Sequence, residues 1–149
     1  NNNIQIALSR FNRLYSREDD IDRLIDVLIA FEALYLSDRQ SELSYRLALN
    51  FATHLSFDDT ARRMELFRLM RKAYKLRSDI VHGKRNELNP KVLQHIPSYN
   101  MNELIIELIK NLRFALQDML KTANSGLSLK DILERLEMTI ITGKKISKT

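Results

Sequence analysis

Residues 60–83 read TARRMELFRLMRKAYKLRSDIVHG, and their spacing decides the fold class. Apolar side chains return at steps of three and four through Leu66, Phe67, Leu69, Met70, Ala73, Tyr74, Ile80 and Val81. That is the period of an amphipathic helix, and it lacks the alternation of a strand. Asp58 precedes it as an expected N-cap, the helix is expected over Thr60 to His82, and Gly83 stands where a C-terminal cap belongs.

The same period extends in both directions. Ile4, Ala7, Leu8, Phe11, Leu14 and Tyr15 form one stripe, and Ile21, Leu24, Ile25, Leu28, Phe31 and Tyr35 form a second behind Asp19 or Asp20 as cap. Leu43, Leu47, Phe51 and Leu55 follow at four-residue steps. Downstream, Asn89-Pro90 and Ile96-Pro97 mark an irregular connection. Asn100 with Glu103 reads as a capping box that opens a helix through Met119 and Leu120, which Gly126 ends. Ser128 caps a last helix through Leu129, Ile132, Leu133, Leu136 and Ile140. The chain is therefore expected to be all-α, with about five bundled helices over residues 1–125 and a C-terminal helix with a basic tail over 126–149.

Composition narrows the function. The 149 residues include no cysteine, so no disulfide framework, thiolate nucleophile or thiolate metal site can form. Three glycines and two prolines are too few for a design rich in tight turns or for a phosphate-cradling glycine loop. Hydrophobic residues make up 44% and charged residues 29%, as in a globular chain, and no apolar run approaches a membrane span. A cytoplasmic protein without a membrane partner is expected. The chain opens at Asn1 rather than at a methionine, which reads as a processed chain or as one cut from something longer, with an upstream domain as a candidate partner.

Charge is uneven. Residues 57–85 hold nine Lys/Arg against four Asp/Glu, whereas residues 1–56 hold six against eight. The excess reads either as a solvated helix face or as a surface for phosphate. Arg68, Arg71 and Lys75, with Lys84 and Arg85 just beyond the helix, are the candidate RNA contacts. Two other charges fall on apolar stripes. With Ile21 as origin, Glu32 lies at about 20°, and with Met64 as origin, Arg77 lies near the middle of an apolar arc at about 220°. Buried charges need partners, so the two are expected to meet, either as an ion pair that sets helix register or as a prepositioned guanidinium at a cleft or interface.

Arg77-Ser78-Asp79-Ile80-Val81-His82-Gly83 is the segment whose chemistry suggests a reaction. Imidazole moves protons near neutral pH, and a guanidinium offers a fork of donors to a phosphate whose charge grows in the transition state. Ser78 and Asp79 lie four and three residues before His82, within reach of its ring on a helix. Arg and His five apart diverge by about 140° on one straight helix, so one phosphate is reached only with a distorted helix end or a second copy. The bare Arg-x4-His spacing is weak among 14 arginines and three histidines.

The longer string YKLRSDIVHGK (74–84), downstream of DDIDRLIDVLIAFEALYL (19–36), resembles the HEPN superfamily and within it the Apea-like branch, over roughly residues 8–122. The resemblance implies an up-and-down helical bundle that dimerises, with the motifs of two protomers in one cleft. It further implies a metal-independent endoribonuclease acting through RNA 2′-hydroxyl attack, in an anti-phage defence or toxin–antitoxin setting with a cognate antitoxin. Carried over, Arg77 and His82 are the catalytic pair, with Ser78, Asp79 and Glu32 in support. The chain departs from active members in one respect: Ser78, not Asn, Asp or His, follows the arginine. The competing readings are a non-catalytic RNA- or nucleotide-binding module of a larger protein and a structural dimerisation domain.

The remaining histidines suggest no chemistry. His54 reads as a half-exposed packing residue and His95 as a loop residue; neither sits in a metal-ligand pattern, and no cofactor is expected. The methionines read as core filler.

Overall fold

The computed structural model describes residues 2–36, 41–82 and 100–143, and short-range side-chain chemistry starts four of the six helices among these described residues. Helix α1 spans Asn2–Arg13 and α2 spans Asp20–Tyr35, where the Asp19 carboxylate accepts from the Ile21 N–H. Helix α3 spans Leu43–Leu55 and α4 spans Thr60–Val81. Helices α5, Met101–Asn124, and α6, Leu129–Thr142, both open with reciprocal capping boxes, Asn100 with Glu103 and Ser128 with Asp131.

The cap of α4 is Asp59, not Asp58. Phe57 and Asp58 both take left-handed backbone, φ 48° and 74°, so the turn consumes Asp58. The extended Asp59 then accepts from the Arg62 N–H at 3.0 Å. Gly83 and the proline-marked connection with His95 lie outside the described residues, as do Lys84, Arg85 and the tail lysines.

The described residues form an all-helical bundle. Helix α2 lies at its centre, packed on α1, α3, α4 and α5. Leu24, Leu28, Phe31, Leu34 and Tyr35 of α2 are buried with Leu47 and Phe51 of α3, Leu66 and Met70 of α4 and Leu104 and Leu108 of α5. The Phe31 and Phe51 rings meet edge to face at 5.0 Å. Leu129, Ile132 and Leu136 bring α6 into the same core, against α3 and α5. Tyr15 and Val81, expected on apolar stripes, are 66% and 62% exposed. Tyr15 stands just past the end of α1, and Val81 is the last residue of α4. No described helix is long and apolar enough to cross a membrane.

Two polar clusters tie the bundle together. Asp26 is 1% exposed and takes hydrogen bonds from Arg10 Nη1 at 2.7 Å and Arg17 Nε at 2.9 Å. Burial alone would push its carboxyl up, but the bonds from Arg10 and Arg17 outweigh burial and hold it below the usual carboxylate range. The second cluster joins α2, α3 and α5. The Tyr35 hydroxyl meets His54 Nδ1 at 2.7 Å, and His54 Nε2 meets Asp118 Oδ2 at 2.9 Å. Burial, reinforced by the Asp118 charge, raises the Tyr35 phenol well above its ordinary pKa, so it stays protonated. In the tautomer that serves both partners, Nε2–H donates to the Asp118 carboxylate, which only accepts, and Nδ1 accepts from the Tyr35 hydroxyl.

His54 packs edge-on against Tyr35 and hydrogen-bonds through both ring nitrogens, and its side chain, 9% exposed, lies deeper than half-exposed. His54→Ala is expected to cost about 1–3 kcal/mol by leaving a buried hydroxyl without its acceptor. Adding Tyr35→Phe should recover part of that loss in urea denaturation. Strictly additive losses would show that the hydrogen bond contributes nothing.

Candidate functional site

The second half of α4 carries the site. Arg77 Nη1 lies 2.7 Å from Glu32 Oε1 of α2, each side chain 23% exposed. The expected partners do meet, but at the rim of the core and not inside it. The buried side chains of α4, Leu66, Met70, Ala73, Leu76 and Ile80, centre about 40° from Arg77 around the helix. On α2 the buried arc is wide because four helices pack on it, and it centres on Val27, Leu34 and Phe31 rather than on Ile21 and Ile25. Glu32 lies just past its edge.

Tyr74 completes this group. Its ring lies under the Arg77 guanidinium, 5.6 Å from Cζ to the ring centroid. Burial first, then the neighbouring Glu32 carboxylate, raises the Tyr74 phenol above its ordinary pKa, while Arg77 pulls the other way. Among the described residues Arg77 hydrogen-bonds through Nη1, and its buried Nε has no partner. The carboxylate and the ring hold the guanidinium in one place. Tyr74 was not among the sequence candidates; its spacing three residues before Arg77 was the available signal.

His82 is the exposed C-cap of α4, its backbone N–H donating to the Ser78 carbonyl at 3.0 Å. Ser78 and Asp79 are half-buried, and Asp79 accepts from Lys75 Nζ at 3.1 Å. Lys75 is therefore partly neutralised, whereas Arg68 and Arg71 stand exposed. Arg77 is brought together with Glu32 and Tyr74, and Lys75 with Asp79. Within one chain, Arg77 and His82 leave the same straight helix in directions about 140° apart. Among the described residues no group of three or more His, Asp or Glu side chains could hold a metal ion. No protein-family model, curated protein or solved structure matches the chain.

Proposed function

We propose that the chain is a HEPN-type, metal-independent endoribonuclease domain that works as a homodimer on RNA. The observation that carries this reading is the anchored guanidinium of Arg77, held by Glu32 and Tyr74 five residues before the exposed His82 on a basic helix. An arginine fixed in advance stabilises charge on a phosphate without reorganising during the reaction. In the proposed step a ribose 2′-oxygen attacks the adjacent phosphorus and the 5′-oxygen leaves. His82 takes the 2′-hydroxyl proton or returns one to the 5′-oxygen, and Arg77 faces the phosphorane oxygens. The divergence of the two side chains favours a cleft shared between protomers. A defence or toxin–antitoxin setting with a cognate antitoxin belongs to the same proposal.

The test is cleavage of mixed single-stranded RNA by the wild-type chain in excess EDTA. The mechanism uses only Arg77 and His82, so cleavage should persist and leave a 2′,3′-cyclic phosphate and a 5′-hydroxyl. Loss of activity in EDTA that one added metal restores would overturn it. RNA binding without any cleavage would assign the chain to the non-catalytic reading.

A further inference from the structure

We infer that the groove between the first turn of α3 and the middle of α4 is a nucleobase subsite, where a base of single-stranded RNA stacks on the rings of Tyr45 and Tyr74. This deepens the ribonuclease reading and rests on it. The groove has a volume of about 710 Å³ and is lined by Glu42, Leu43, Ser44, Tyr45, Arg71 and Tyr74. That size falls within the usual small-ligand range of about 300–1,000 Å³.

Its aromatic content distinguishes it from a chance surface hollow. Tyr45 is 47% exposed, and its ring is braced edge-on by Phe67 at 5.7 Å. The core therefore leaves much of a large apolar ring in water on the groove wall. Tyr74 belongs both to this wall and to the Arg77–Glu32 group, so the groove adjoins the guanidinium assigned to the scissile phosphate. Charge orients the ligand. The Glu42 carboxylate on the rim accepts from a base amino group and repels a phosphate, while exposed Arg71 attracts the backbone. A base inside, with its phosphates along the α4 side, satisfies both. Stacking of this kind tolerates any base, because every base has a π face.

The test uses the full chain and a fluorescent 2′-O-methyl oligoribonucleotide of mixed sequence, which cannot be cleaved because the attacking hydroxyl is blocked. Tyr45→Ala should weaken binding by about 5- to 150-fold in anisotropy titrations, while Tyr45→Phe binds as wild type. Tyr45→Leu keeps an apolar contact for Phe67 but cannot stack, so it should bind as poorly as Ala with an unchanged melting midpoint. An all-abasic oligomer of the same length supplies the second arm: wild type and Tyr45→Leu should bind it equally.

Equal losses on both probes would make Tyr45 structural and overturn the subsite, and so would wild-type binding by Tyr45→Leu. Either result, with RNA still cleaved, leaves the ribonuclease reading standing. A Tyr45 effect confined to the base-bearing probe, without cleavage by the wild type, keeps the subsite and removes the catalytic reading. Failure of the wild type to bind either oligomer overturns the subsite, and the ribonuclease reading falls with it only where RNA is not cleaved.

Discussion

Replacing His82 with Ala is expected to slow RNA cleavage by about 10²- to 10⁴-fold, the usual contribution of a general acid or base. The melting midpoint should hardly move, because the side chain is exposed and the helix-ending bond to Ser78 uses the backbone N–H. Arg77→Ala should slow cleavage by about 10²- to 10³-fold, as the loss of one transition-state donor does. Unlike His82→Ala, it should also destabilise the domain by about 1–3 kcal/mol, since Glu32 loses its charged partner at 2.7 Å. The value stays below that for a fully buried pair because both side chains are 23% exposed and water reaches the remaining carboxylate. Cleavage and urea denaturation on the same two variants check both statements. If His82→Ala cleaves like wild type while Arg77→Ala is only unstable, the Arg77–His82 string is structural and the catalytic assignment fails.

The second large effect lies far from that string. Asp26→Ala should destabilise the domain by about 2–4 kcal/mol, because it removes the carboxylate that joins Arg10 of α1 and Arg17 to the centre of α2. Arg10 and Arg17 are 31% and 38% exposed and can turn to water, which keeps the cost from rising further. The same group makes stability depend on acid. Its folded pKa is held below the unfolded carboxylate value of about 3.9, so its contribution is complete above that pH. It is lost as pH falls through the lower folded value. Asp26→Asn should thus lose stability at pH 7 and show a shallower decline as pH falls below about 4. A slope equal to wild type would show that the Asp26 cluster is not what acid disrupts. Asp131, also held low by the hydroxyl and backbone N–H of Ser128, adds to the wild-type slope and remains in the variant.

Much of this molecule was readable one helical turn at a time. Caps act over two or three residues, so the Asn100–Glu103 box and Ser128 announced where α5 and α6 begin, and Asp19 or Asp20 where α2 begins; the structure chose Asp19 and added Asp131 to Ser128. The all-helical class followed from the period of the apolar positions. Asp58 misled because the choice between adjacent aspartates rests on backbone angles, and left-handed turns at Phe57 and Asp58 leave only Asp59 extended at the helix start. Arg77 and His82 stood out as a string, and the helical wheels brought Glu32 to Arg77. The wheels misjudged depth, because they assume one buried stripe and α2 is covered by four neighbours.

Nothing local marked Asp26 or His54. Their partners are 16 and 9 residues away for Asp26, and 19 and 64 away for His54. A lone acid in the run LIDVLIAF looks like a polar position until α1 and Arg17 close over it. Tyr45 and Tyr74 likewise share a groove only because α3 and α4 pack side by side. Helical period and capping are set by bonds within about four residues of the chain. Which charges pair, how deeply they lie and which rings face one another depend on how the finished helices touch.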